Sequence, residues 1–169
     1  MLDLVRKGEE DAEDMQIGRY LTFSIGDVMF GIEMQFITEI IGMQTITELP
    51  DMPAYMKGII NLRGKIIPVL DVRLLFGKET RQFDDRTCVI VIDIAGIPIG
   101  LIVDRVSEVV NISAEDVLEV PKANGQNSRF IKNIGKTENG VVLILDCEKI
   151  LSEQEIETIG DITKANEAL

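Results

Sequence analysis

Histidine is absent from all 169 positions of the chain, which removes much of the chemistry that a catalytic site could use. Without imidazole the chain lacks the commonest general base near neutral pH, the Ser-His and Cys-His pairs of nucleophilic catalysis, and the usual zinc ligands. No serine stands in a Gly-x-Ser-x-Gly elbow. Gly135-Lys136-Thr137 resembles the end of a phosphate-binding loop, but Phe130 replaces its first glycine. The sequence therefore predicts no catalytic residue, no metal site and no cofactor.

Two aspartates stand where a phosphate-accepting aspartate would stand. Asp71 and Asp93 each end an apolar run. A receiver site also needs a pair of acids that bind magnesium, whereas Asp71 is followed by Val72 and Arg73. A role in turning a strand into a loop is therefore the favoured interpretation of both residues.

The charge of the chain excludes several classes of partner. Asp and Glu number 29 against 17 Lys and Arg, which gives a formal net charge of −12 at pH 7. No basic run is longer than a pair, whereas a nucleic-acid backbone or an anionic lipid surface requires clustered cations. We therefore expect neither nucleic acid nor a membrane to bind directly.

The sequence predicts one soluble, cytoplasmic folded unit. No apolar run approaches the length of a bilayer span, and the N-terminus lacks the features of a signal peptide. Residues 1–17 are rich in acids and predict a mobile tail, residues 18–160 predict the folded domain, and residues 161–169 predict a C-terminal tail. Cys88 and Cys147 lie in apolar contexts that favour two reduced thiols, with a disulfide left open.

Short runs rich in β-branched residues, separated by turn-forming residues, dominate the chain. Nine strands are predicted, at residues 19–25, 28–32, 37–43, 58–62, 65–72, 87–94, 97–103, 106–112 and 141–145. The turn signals between them suit antiparallel hairpins and leave no room for crossover helices. Single helical turns are predicted at 34–36 and 72–76, and a longer helix at 147–158. The predicted fold is all-β, arranged as two intimately packed barrels with a C-terminal helix.

One arginine stands alone at the tip of a predicted hairpin. Arg63 and Gly64 separate two apolar runs, and a glycine there takes the positive φ of a tight turn without steric cost. No neighbouring residue gives Arg63 an acid-base role, so we interpret it as a recognition residue. Glu39 interrupts an earlier apolar run and is the acid that we single out with Arg63, although the pattern alone favours two unrelated surface charges.

Three motifs, in family order along the chain, resemble the CheW-type chemotaxis coupling proteins. They are Tyr-Leu-Thr-Phe-Ser-Ile-Gly at 20–26, Asn-Leu-Arg-Gly at 61–64 and Gly-Leu-Ile-Val-Asp-Arg-Val-Ser-Glu-Val at 100–109. The resemblance implies two SH3-like barrels of five strands each. It also implies a non-enzymatic adaptor that couples the cytoplasmic tips of transmembrane chemoreceptors to the regulatory domain of the histidine kinase CheA. Such an adaptor joins membrane-anchored receptor arrays through protein contacts.

The resemblance also implies candidate binding residues. Arg63 belongs to the receptor-binding region of the family, and Glu39 is its expected neighbour. Apolar residues in positions that line a groove between the barrels complete the predicted receptor site: Leu21, Met34, Ile37, Ile40 and Val106. A second, kinase-facing edge is predicted at Met43, Ile46 and Leu49.

Two other functions stay open on the sequence alone. One is a β-barrel module that binds an unrelated protein, which a failure to bind receptor and kinase would favour. The other is a phosphorylatable signalling domain, which labelling of Asp71 or Asp93 by acetyl phosphate would reveal.

Overall fold

The computed structural model describes residues 17–121 and 129–150. Within these ranges the chain is nearly all β, and its only helical elements are single turns. The strands are β1 (Arg19–Ile25), β2 (Val28–Glu33), β3 (Ile37–Gly42), β4 (Met56–Leu62), β5 (Lys65–Asp71), β6 (Cys88–Ile94), β7 (Ile97–Val103), β8 (Arg105–Asn111), β9 (Val117–Glu119), β10 (Ile131–Thr137) and β11 (Gly140–Leu145). The all-β prediction is therefore confirmed.

The strands form two sheets. The first sheet has six strands in the order β8-β1-β2-β11-β10-β9, and the second has five in the order β3-β6-β7-β5-β4. Most neighbouring strands are antiparallel, but each sheet also contains one parallel pair, β2 with β11 and β5 with β7. The expected five strands are thus found in the second sheet, whereas the first sheet has six.

All nine predicted strands occur within one or two residues of their predicted bounds, and two further strands were not predicted. The missed strands are β9, which has three residues, and β10. The sequence of β10 contains Asn133, Gly135 and two lysines, all of which are residue types depleted in strands. Pairing with β11 and β9 on either side nevertheless holds β10 extended, because backbone hydrogen bonds do not depend on side-chain type.

Two helical turns lie at their predicted positions, whereas a third, the 3₁₀ helix Ala114–Asp116, was not predicted. A 3₁₀ helix spans Met34–Phe36, α1 spans Val72–Leu75, and Gly77 follows α1 with φ of 71°. Of the segment 147–158 that was predicted as a helix, the structure describes only residues 147–150, with a 3₁₀ turn at Cys147–Lys149. Residues 151–158, residues 1–16 of the predicted N-terminal tail and the predicted C-terminal tail lie outside the described residues. None of the described helices has the length and apolar character that crossing a membrane requires.

A single apolar core joins the two sheets. It contains Phe23 and Phe30 from the first sheet and Leu70, Ile90 and Leu101 from the second, all 2% exposed or less. The Phe23 and Phe30 rings stack with centroids 5.6 Å apart, which fixes the β1–β2 hairpin against this core. Because alternate residues of a strand point to opposite faces, each sheet also has a second apolar face.

Each second face has its own smaller core. In the first sheet Tyr20, Ile112 and Ile144 pack together. In the second sheet the corresponding cluster includes Ile60, Val69 and Val89. Three apolar clusters in a chain of this length explain why the sheets curl, since a flat sheet would leave its second face exposed to water.

Candidate functional site

The Arg63 hairpin joins β4 to β5 through a two-residue turn. Arg63 and Gly64 both have positive φ, 52° and 86°, as a type I′ turn requires. The Asn61 side chain stabilises this turn, because its Oδ1 accepts a hydrogen bond of 2.8 Å from the backbone N–H of Gly64. The tip is therefore rigid, and it presents a guanidinium whose side chain is 71% exposed.

Arg63 and Glu39 form an ion pair. The Nη2 atom of Arg63 lies 2.6 Å from Oε1 and 2.8 Å from Oε2 of Glu39. Glu39 lies on β3 and Arg63 follows β4, which are the opposite edge strands of the five-stranded sheet. The contact therefore requires the sheet to curl until its two edges meet, and the pair spans the resulting seam. An exposed pair of this kind contributes only about 0–1 kcal/mol to stability.

The apolar residues predicted for the receptor site differ in exposure. Met34, Ile37 and Val106 are half-buried and pack against the core that joins the two sheets. Ile40 is 45% exposed on β3, one residue from Glu39, whereas Leu21 is only 4% exposed. The structure thus brings Met34, Ile37 and Val106 to one core, in which Leu21 is buried, and leaves Ile40 exposed on β3.

The residues predicted for the kinase-facing edge belong to the segment between β3 and β4, here called the strap (residues 43–55). Met43 and Ile46 pack against the second-sheet cluster, and Leu49 is half-buried. The strap is fixed by two backbone hydrogen bonds between Thr47 and Ile59, of 2.8 and 2.9 Å. It therefore closes the open face of the second sheet as a lid of fixed position.

Two structural features of this region were not predicted. Gly58 has φ of 145°, and a Cβ built there would lie 2.1 Å from the carbonyl oxygen of Thr47, so only glycine allows the strap to approach β4. Asp104, where the chain passes from the second sheet to the first, accepts hydrogen bonds from Arg73 and from the backbone N–H of Gly26. The residues around Gly58 do not indicate its positive φ. Asp104 is distant in sequence from Arg73 and from Gly26, so local patterns do not predict these hydrogen bonds.

Both candidate phosphorylation sites have structural roles. Asp71 is 2% exposed and caps α1, because its Oδ1 accepts from the backbone N–H of Arg73 at 2.9 Å. Burial raises the pKa of the Asp71 carboxyl, although these backbone hydrogen bonds oppose the rise. Asp93 accepts from the N–H of Gly96 at 2.8 Å in the β6–β7 turn. Among the described residues no group of three or more acids or cysteines is placed to hold a metal ion.

Both cysteines are free thiols in the structure. Burial, reinforced by the carboxylates of Glu33 and Asp146, raises the pKa of the Cys147 thiol to about 12, and burial also raises the pKa of Cys88. Because the thiolate is the reactive form, we expect Cys147 to resist alkylation by iodoacetamide at pH 8 in the folded protein. Mass spectrometry of the native and the urea-denatured protein measures this. Rapid native labelling of Cys147 would contradict it.

An all-β fold of two packed sheets that presents an exposed ion pair at a hairpin tip is typical of a module that binds other proteins. The family model for the CheW-like domain matches residues 19–155, and the chain belongs to this family. It is 30% identical to the chemotaxis protein CheW of Klebsiella aerogenes, with 87% of this chain and 89% of that protein covered. Identity to the chemotaxis protein CheW of Helicobacter pylori is also 30%, with 86% and 88% covered.

A solved structure gives the same result. The scaffolding protein TtCheW from Thermoanaerobacter tengcongensis superposes with a TM-score of 0.76 and 31% sequence identity. The match covers 82% of this chain and 96% of that one. The family resemblance seen in the three motifs is thus confirmed, and with it a place in chemotaxis signal transduction.

Proposed function

We propose that this protein is a non-enzymatic, cytoplasmic adaptor that couples the tips of transmembrane chemoreceptors to the regulatory domain of CheA. The observation that carries the proposal is its CheW-like domain, which extends over residues 19–155 and aligns with almost the whole length of a scaffolding protein. Simultaneous contacts raise the effective concentration of each partner for the next, so modest interfaces can hold a receptor array together. A change in receptor conformation then changes how these contacts are populated.

In this proposal the receptor meets the seam of the second sheet. Glu39 holds the Arg63 guanidinium in one direction and still leaves it largely exposed, so the arginine is available to an acidic group of a receptor helix. Ile40, Ile37 and Met34 offer apolar surface to the same helix, and an unbranched methionine adapts to different receptor sequences. Leu21 supports this surface from beneath.

The kinase meets a different surface, the strap that carries Met43, Ile46 and Leu49. This assignment is supported by the separation of the two regions within one sheet. The Arg63 tip lies at the β4–β5 turn, whereas Thr47 pairs with Ile59 further along β4. Two surfaces on one rigid barrel allow both partners to bind at once, as an adaptor requires.

Charge reversal at Arg63 tests the receptor surface. Arg63→Glu removes the exposed cation and places a second carboxylate beside Glu39, so it creates repulsion in place of the ion pair. We expect receptor affinity to fall at least about tenfold, which corresponds to about 1.4 kcal/mol. Co-sedimentation with receptor-containing membranes, with and without CheA, measures this, and binding to CheA alone should be retained.

Arg86→Glu is the matched control, because Arg86 is another exposed arginine and lies in the loop between α1 and β6. It should bind receptor membranes as the wild type does. Equal loss of binding in both variants would show that the change in net charge, and not the position of Arg63, causes the loss. Failure of the wild type to bind receptor and CheA would favour a module for an unrelated protein partner.

A further inference from the structure

The described part of the first sheet has an open seam between its two edges. Among the described strands, β8 has a neighbour on one side only, and β9 at the other edge pairs with only three residues of β10. Lys136 and Thr137 of β10 extend beyond β9 and line a groove whose other wall includes Glu108, Val110 and Asn111 of β8. Two strand edges therefore face each other across a gap.

Within residues 17–121 and 129–150, no strand pairs with the backbone groups on the open side of β8. The N–H of Ile112 donates to the carbonyl of Gly18 at 2.8 Å, so the backbone groups of Ile112 face β1. In an antiparallel ladder the direction alternates, and the register Tyr20↔Val110 continues this pattern. The N–H and C=O of Val109 and Asn111 therefore point away from β1. An exposed strand edge of this kind is a template for another strand.

The groove has an apolar floor at one end. A cavity of about 250 Å³ has Met29, Val110 and Val142 as part of its apolar lining. This cavity shares lining residues with the groove described above, which has a volume of about 680 Å³. These volumes suit a short peptide segment whose side chain enters the smaller cavity.

The rim of the groove is acidic. Glu108, Asp116 and Glu138 line it, with Lys136 as the only cation among its lining residues. Two of these acids lie on opposite walls, Glu108 on β8 and Glu138 in the β10–β11 turn. A segment that enters the groove therefore passes between carboxylates before its backbone meets the strand edge.

We propose that this seam binds an extended, basic peptide segment as an added strand beside β8. Its backbone pairs with Val109 and Asn111, one apolar side chain enters the cavity over Met29, and flanking lysines or arginines meet Glu108 and Glu138. Glu108 and Val110 are two residues apart and share one face of β8, so the apolar side chain and the flanking cations of the segment lie at alternate positions on that same face. The groove and cavity are lined by none of the residues predicted for the receptor or the kinase, although Val106 of the predicted receptor site lies on the same strand.

The acidic rim favours a basic segment of another protein over the chain's own N-terminal segment and over a second copy of the chain. Residues 3–14 of the chain contain six acids against two bases, and a second copy of the protein carries a net charge of −12. Both would bring further negative charge to an acidic rim, at a cost in free energy. A basic segment of another protein gains from the same field.

The test uses a fluorescein-labelled, acetylated and amidated peptide, Lys-Thr-Val-Thr-Lys, with the full-length protein and fluorescence anisotropy. Its threonines stand opposite Val109 and Asn111, so its valine lies on the face of Val110 and its lysines lie on the face of Glu108. We expect saturable binding that weakens with salt. The same peptide with N-methyl groups on both threonines keeps its charge but loses two donors, so it should bind at least about tenfold more weakly. Glu138→Lys should weaken binding by about three- to fivefold, whereas Glu79→Lys, in an exposed loop, should leave it unchanged.

Val109→Pro removes one outward-facing donor on an edge strand, where proline is tolerated, and should weaken binding about tenfold. Should that variant fail to fold, perturbed amide resonances in the wild type must cluster at residues 107–111 and 136–139. Equal binding of the N-methylated peptide, perturbations elsewhere, or absence of saturable binding would overturn the proposal. So would binding that occurs only after removal of residues 1–16, because the seam would then belong to the chain's own N-terminal segment.

Discussion

Gly58→Ala is expected to lower the free energy of unfolding by roughly 3 kcal/mol. An alanine there must hold φ near 145°, and its Cβ would lie 2.1 Å from the Thr47 oxygen and 3.0 Å from Cγ2 of Ile46. The clash is with backbone, so the strap must lift from β4. Lifting breaks the two hydrogen bonds between Thr47 and Ile59 and exposes the apolar cluster beneath Met43 and Ile46. Urea denaturation followed by circular dichroism measures the loss.

Variants at two other glycines distinguish the steric clash from backbone strain as the cause of the stability loss in Gly58→Ala. Gly42 is in β3 with no heavy atom within 4 Å of an added Cβ, so Gly42→Ala should be nearly neutral. Gly64 has φ of 86° but also has open space, so Gly64→Ala reports backbone strain alone, about 1 kcal/mol. A loss at Gly58 no larger than that at Gly64 would show that the strap does not depend on its close approach to β4.

The same variant bears on the proposed kinase surface. Because the strap carries Met43, Ile46 and Leu49, its displacement should weaken binding to CheA at temperatures where the domain is still folded. Receptor binding through Arg63 should change less, since the hairpin tip is stabilised separately by Asn61. Arg63→Glu and Gly58→Ala are thus expected to impair different partners.

Asp104→Ala should lower the free energy of unfolding by a similar amount, roughly 3 kcal/mol. Asp104 accepts from Nε of Arg73 at 2.8 Å, from Nη2 of the same residue, and from the N–H of Gly26 at 2.8 Å. The side chains of Asp104 and Arg73 are only 12% and 17% exposed. Removing one partner of such a pair leaves the other buried and uncompensated. Thermal and urea unfolding measure the effect, with exposed Asp85→Ala as control.

A double variant identifies the origin of that loss. If the cost comes from an unpaired guanidinium, Asp104→Ala with Arg73→Met should be more stable than Asp104→Ala alone, because no charge is left buried. If the double variant is less stable by the sum of the two single effects, the ion pair itself contributes little and packing explains the loss.

The contribution of Asp104 should depend on pH in a defined direction. Burial acts to raise its pKa, but the hydrogen bonds from Arg73 and Gly26 outweigh this, and the pKa lies below its ordinary value of 3.8. A lowered carboxyl pKa stabilises the folded state above the unfolded pKa, and the benefit is lost as the pH falls through the folded pKa. The difference in stability between wild type and Asp104→Ala should therefore be constant from about pH 5 to 7 and shrink below about pH 4. Asp71, whose pKa is raised, is present in both proteins, so its contribution to the pH dependence cancels in the difference.

Much of the local structure follows from residue types and their spacing. Alternating apolar residues predict β1, and a continuous apolar run between turn signals predicts β7, both to the residue, because these patterns are local properties. The Arg63-Gly64 turn is equally local, since the positive φ values and the Asn61 hydrogen bond arise within four residues. The predicted receptor-site residues follow in part from this hairpin and in part from the family resemblance.

Other features depend on residues that are distant in the sequence. The strand β10 is polar and contains Gly135, so its own residues favour a loop, and only pairing with β9 and β11 makes it a strand. The parallel pairs β2 with β11 and β5 with β7 join segments that no turn connects. Backbone pairing of this kind is insensitive to side-chain type, which is why sequence patterns do not report it.

The sequence by itself determined an all-β domain with a solitary arginine at a hairpin tip, because turn chemistry and strand periodicity act over a few residues. Only the tertiary structure decided that this arginine meets Glu39, since the contact exists because a sheet curls until its edge strands β3 and β4 approach each other. Packing of the two sheets against each other buries Leu21, the strap covers the second sheet, and a seam stays open in the described part of the first. Burying both faces of each sheet drives that curvature, and it is a property of all the strands together.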